Sequence, residues 1–241
     1  AHYKEAEDMI RDADTAMYRA KDRGKACYEI FNTAMHTRAV TLLRLETDLR
    51  RAIDNDELCV YYQPIVSAAN RQLHGFEALV RWHHPERGVV SPTDFISLAE
   101  ETGLILPLGL NVLREACRQL RKWQQQSLAD RDLIISVNLS GKQLAQPDLI
   151  EQVERVLHET QLKPWHLKLE VTETVVMESP EVAAVTLARL RGLGVLLSID
   201  DFGTGYSSLT YLNRFPLDIL KIHRSFISTM NQSDENLQIV K

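Results

Sequence analysis

The stretch "VLLSIDDFGTGYSSL", residues 195–209, sets five mostly apolar residues before two adjacent aspartates, Asp200 and Asp201, and follows them with a glycine-rich turn. Apolar runs of this length read as buried strands, and strands of this kind end in turns rich in Asp and Gly. Two like charges side by side are costly at a buried strand end unless cations or hydrogen-bond donors compensate them. A polar strand-end turn would account for the pair taken alone. The surrounding chain decides which compensation applies.

Working outward, the same layout recurs. The runs "CVYYQPIV" (59–66), "GFEALVRW" (75–82), "LIISVNLS" (133–140), "LKLEVTE" (167–173), "VLLSID" (195–200) and "DILKIH" (218–223) read as strands. Between them lie helical patterns at 92–102, 108–125, 147–160 and 179–194, with start and stop residues at Ser91, Pro147, Ser179 and Gly194. Alternating strands and helices predict an α/β fold with a largely parallel sheet, either doubly wound or a (β/α)8 barrel. No GxGxxG follows a strand, which disfavours a dinucleotide-binding fold.

A barrel gathers its chemistry at the C-terminal strand ends. Tested that way, the runs supply Glu77, Asn138, Glu170, Asp200 with Asp201, and Lys221, one polar position per strand from the second run to the sixth. Carboxylates with an amide oxygen form a hard oxygen set. It suits Mg2+ or Mn2+ and is poor for zinc, which prefers His and Cys. Divalent ions would neutralise Asp200 and Asp201. Two metals can clamp the attacking and leaving oxygens of a phosphodiester, and a lysine in the same mouth can stabilise phosphate charge or orient the attacking water.

Composition narrows the classes further. The 241 residues are 44% hydrophobic and 25% charged, ordinary for a globular chain. A net charge of −5 argues against a broad grip on duplex nucleic acid. No apolar run is long enough to span a membrane, and the first residues lack a signal-peptide layout, so a cytoplasmic segment without membrane contact is expected. Cys27, Cys59 and Cys117 are far apart and lack CxxC spacing, which predicts buried, reduced thiols.

"GFEALVRW", followed in order by "VNLS", "LEVTET", "DDFGTGYSSL" and "FPLDILKIHRSF", resembles the EAL-domain family of cyclic di-GMP phosphodiesterases over roughly residues 40–241. The resemblance implies a TIM-like barrel of EAL type, and the chain would stop after about its sixth strand. It implies that Glu77, Asn138, Glu170 and Asp200 hold a metal, that Asp201 holds a second metal or its bridging water, and that Lys221 acts on the attacking water. Glu173 would hold the "DDFGTG" loop, which in such proteins links metal binding to the dimer interface. Gln63 and Arg81 look like substrate contacts. The implied activity is hydrolysis of cyclic di-GMP to linear pGpG with two Mg2+ or Mn2+ ions, calcium being inhibitory. A cyclic di-GMP receptor that binds without cleaving, acting through dimerisation, is the alternative.

The stretch "MIRDADTAMYRAKDRGKACYEIF" (9–31) resembles the last helix and strand of a GGDEF diguanylate cyclase domain. It implies a remnant of an upstream domain over 1–31, a helical connector over 32–49 and the EAL domain over 50–241. His223 departs from the family, where Asp generally follows "LKI"; the change is expected to alter metal affinity or turnover.

Overall fold

The computed structural model of the chain describes residues 5–22, 27–55, 57–126, 133–203, 214–231 and 237–238. The chain divides into two units, Ala1–Asp54 and Asn55–Lys241. The first holds α1 (Ala6–Asp22) and α2 (Thr33–Asp54). The helical spacing of Met9, Ala13, Ala16 and Met17 is realised in α1; its expected stop at Gly24 lies outside the described residues.

The second unit begins with β1 (Leu58–Val66), β2 (Leu73–His84) and β3 (Gly88–Val90), followed by α3 (Pro92–Thr102) and α4 (Ile105–Gln125). Then come β4 (Ile134–Asn138), α5 (Gly141–Leu144), α6 (Leu149–Thr160), β5 (Leu167–Thr172), α7 (Glu173–Glu178) and α8 (Pro180–Gly192). After β6 (Leu196–Phe202) follow β7 (Ile219–Ile222) and α9 (Arg224–Thr229). The strands form one sheet in the order β1-β2-β4-β5-β6-β7, with β3 on the side of β2. From β2 to β7 along this path every neighbouring pair is parallel.

The first run departs from the expected parallel arrangement. β1 pairs with β2 antiparallel, Leu58 opposite Trp82 and Gln63 opposite Glu77. The cause is the length of the connection. Only residues 67–72 join the two strands, a span that closes a hairpin and is far too short for a parallel crossover. Arg71, at φ 56°, donates its N–H to Ser67 and tightens that turn.

The strands buried on both faces explain the near-continuous apolar runs. Their outer side packs on amphipathic helices: Leu113, Ala116, Cys117 and Leu120 of α4, Val153, Val156 and Leu157 of α6, and Leu187 and Leu190 of α8 join Ile135, Val137, Leu167, Leu169, Leu197 and Ile199 in one core. These helix positions recur every three or four residues, the stripe a helix needs to cover a sheet. Burial pushes the Cys117 thiol up to about 12, so it stays a neutral, core-filling group. Cys59 is partly buried and Cys27 is exposed, contrary to the expectation that all three thiols are buried.

Candidate active site

In-register parallel strands point matched residues to the same side, so the strand pairing fixes the inner face. Glu77 pairs with Ser136, Ser136 with Lys168, Asn138 with Glu170, Glu170 with Ser198, and Thr172 with Asp200. Along a strand the residues on this face recur every second position, so Ser136, Lys168 and Ser198 lie one step before Asn138, Glu170 and Asp200 and form a buried lower tier beneath them. Glu77 and Lys221 join the upper tier through their contacts with Asn138, Glu170 and Asp200.

The upper tier converges. One carboxylate oxygen from each of Glu77, Glu170 and Asp200 lies within 4.8 Å of the others. Asn138 Nδ2 donates to Glu77 Oε1 at 3.0 Å, which commits the amide nitrogen and leaves Oδ1 as its ligand oxygen. At the centre stands Lys221 Nζ, 3.2 Å from Glu77 Oε2, 2.5 Å from Glu170 Oε2 and 2.9 Å from Asp200 Oδ2. Burial presses the Lys221 ammonium toward neutrality. Hydrogen bonds to Glu170 and Asp200 and the charges of Glu170 and Glu77 outweigh it, so Lys221 is held charged well above the ordinary lysine range.

Glu170 is the hub, its side chain fully buried. Oε2 faces Lys221, while Oε1 lies 2.9 Å from Lys168 Nζ, a buried charge contact without hydrogen-bond alignment. Lys168 was missed in the sequence because one lysine in "LKLEVTE" looks like ordinary strand alternation; its spacing of two from Glu170 was the available signal.

The backbone turns the Asp200 and Asp201 side chains apart. The β6–β7 register breaks between Ile199 and Phe202, and Asp201 takes φ 55°. Aspartate tolerates this left-handed region, and such bulges re-aim side chains beside functional sites. Asp200 therefore turns inward to Lys221. Asp201 donates its N–H to Asp200 Oδ1 at 2.8 Å and keeps a half-exposed carboxylate 3.9 Å from His223 Nε2, outside the three-carboxylate group.

His223 itself caps α9, Nδ1 accepting from the Ser225 N–H at 3.3 Å. Glu173, buried at the start of α7, accepts from the Gly203 N–H at 2.9 Å and fastens the near end of the "DDFGTG" segment. Thr204 and Gly205, the rest of that motif, lie outside the described residues. Gln63 sits directly across from Glu77 on the hairpin. Arg81 is four residues beyond Glu77, roughly 13 Å along β2 at the strand rise. It lies over the Tyr61 ring at 5.7 Å and donates to the Val80 carbonyl at 2.8 Å.

The donor set fits a hard divalent cation. The oxygens are carboxylate and amide, and an ammonium already occupies the place where their charge is focused.

The comparisons agree with this geometry. The chain matches the EAL domain family over residues 46–241. It is 45% identical over 233 residues to the bifunctional diguanylate cyclase/cyclic di-GMP phosphodiesterase MucR of Pseudomonas aeruginosa, which covers 97% of this chain and 34% of that protein. It is 38% identical over 240 residues to the cyclic di-GMP phosphodiesterase PdeR of Escherichia coli, covering 100% of this chain and 36% of that protein. The chain thus spans about a third of the length of these relatives. Among solved structures, the PaMucR phosphodiesterase in complex with c-di-GMP superposes with a TM-score of 0.77 at 46% identity, covering 82% of this chain and 79% of that one. On the family match, the identities and the shared fold together, the chain belongs to the EAL domain family.

Proposed function

We propose that the chain is a metal-dependent phosphodiesterase that hydrolyses cyclic di-GMP to linear pGpG. The observation that carries this reading is the convergence of Glu77, Glu170 and Asp200 within 4.8 Å at one end of the parallel strands. Glu77, Glu170, Asp200 and the Asn138 amide oxygen would hold a Mg2+ or Mn2+ ion. A second ion would use Asp201, whose carboxylate stands half-exposed beside the first group. When bound, such ions supply Lewis-acid stabilisation of phosphate charge and acidify water.

The protein's own groups do the remaining work. Lys221, which meets Glu77, Glu170 and Asp200, would orient the attacking water or steady a phosphate oxygen. Arg81 offers a planar fork to a second phosphate, and Gln63 lines the same side of the hairpin. The water oxygen forms the new P–O bond as the P–O bond in line with it, to the ribose oxygen, breaks; the proton the water gives up is balanced by the proton the ribose oxygen gains, and the ring opens.

Several further assignments go with this reading. Residues 1–31 are the tail of an upstream cyclase-like domain, 32–49 a connector and 50–241 the EAL domain. Exposed Met9, Ile10, Tyr28 and Ile30 in the first unit suit a surface that the upstream domain covers, and MucR carries a cyclase in its name. The protein works as a homodimer, with Glu173 and Gly203 connecting the site to the interface loop. The substrate is an internal second messenger, so the reaction belongs in the cytoplasm; among the described residues no helix is long and apolar enough to cross a membrane. Calcium inhibits.

Chromatography of cyclic di-GMP incubated with the protein and Mg2+ tests the reading. Conversion to pGpG is expected, with loss on chelation and a fall of more than about a hundredfold in Glu77→Ala, since even outer partners of metal ligands cost 10–100-fold. Binding of cyclic di-GMP without product would establish the receptor alternative instead.

A further inference from the structure

Outside the ligand set, the buried lysine beneath it is unused by the mechanism. Lys168 is 6% exposed and rises from the lower tier of β5, two residues before Glu170. Its ammonium lies 2.9 Å from Glu170 Oε1, and both side chains are buried, at 8% and 0% exposure. The other oxygen, Oε2, faces the centre, where Lys221 meets it at 2.5 Å. The two oxygens of Glu170 are thus divided between two partners on opposite sides.

We infer that Lys168 is a positioning residue that restricts Glu170 to one ligand oxygen and thereby biases the site toward Mg2+ over Ca2+. The inference rests on reading the upper tier as a divalent-cation centre. Mg2+ takes a compact octahedral shell built from single oxygens and water. Ca2+ takes six to eight oxygens and is well served by carboxylates that give both. With Oε1 buried and turned to the Lys168 ammonium in an ion pair, Glu170 has Oε2 to give. The cost of the buried ammonium is consistent with a specific role, because a hydrophobic residue of similar volume would fill the same space without desolvating a charge.

Oxygen count and charge act differently on the two ions. Mg2+ and Ca2+ carry the same charge, so removing the lysine's positive charge changes both affinities in the same direction and by similar amounts. The ratio of the two affinities isolates the number of oxygens that Glu170 supplies. A purely structural lysine would change the melting temperature and leave that ratio alone.

The test is calorimetric titration of the chelator-stripped protein with MgCl2 and, separately, with CaCl2, for wild type and Lys168→Met. The expected result is a shift of the affinity ratio toward calcium by about tenfold, the lower end of what outer partners of metal ligands contribute. An unchanged ratio in a folded variant overturns the inference and leaves the cation centre standing. Failure of the wild type to bind either ion overturns both. Should Lys168→Met not fold by circular dichroism, Lys168→Gln carries the same expectation, because its amide is one bond shorter and withdrawn from Oε1 while remaining polar.

Discussion

His223 serves the fold and at the same time stands beside Asp201. Its Nδ1 accepts from the Ser225 N–H as the cap of α9, and its Nε2 lies 3.9 Å from Asp201 Oδ1. Aspartate, the family's usual residue there, is an equally good cap. Replacing His223 with Asp is therefore expected to leave stability within about 0.5 kcal/mol by urea denaturation. The added carboxylate beside Asp201 is expected to tighten Mn2+ binding, measured by calorimetry. At this scale the sequence was informative at Glu77, Asn138, Glu170, Asp200 and Lys221, polar residues in apolar runs that do meet, and uninformative at Lys168 in the same kind of run. It did not announce the register break between Ile199 and Phe202, which separates the Asp201 side chain from that of Asp200.

Among the elements, β2 carries the greatest burden, since it closes the hairpin with β1 and opens the parallel sheet with β4. Gly75 makes that double role possible. A Cβ there would stand 2.1 Å from the Ile134 carbonyl oxygen, a backbone atom that cannot swing aside. Gly75→Ala is expected to cost at least about 2 kcal/mol in urea denaturation, the scale of an overpacked core. It is also expected to weaken cation binding, because β2 delivers Glu77 and β4 delivers Asn138. The antiparallel first strand was legible after the fact in the six residues between Val66 and Leu73; alternation of strands and helices alone obscured it. The short α5 was equally readable, since Ser140 and Gln143 form a capping box at the S-x-x-Q spacing.

At the scale of the whole molecule, the parallel strands from β2 to β7 act as a comb that carries each oxygen ligand to one rim, while the outer helices lock their register through the apolar core. Three carboxylates held this close repel one another, and in the structure Lys221 from above and Lys168 from below offset that repulsion. The same focused charge would attract a divalent ion. Diffraction from crystals soaked in MnCl2, recorded at the manganese absorption edge, reads this directly. The expected map has an anomalous peak bounded by Glu77, Glu170 and Asp200; manganese bound elsewhere with that position blank would contradict the account.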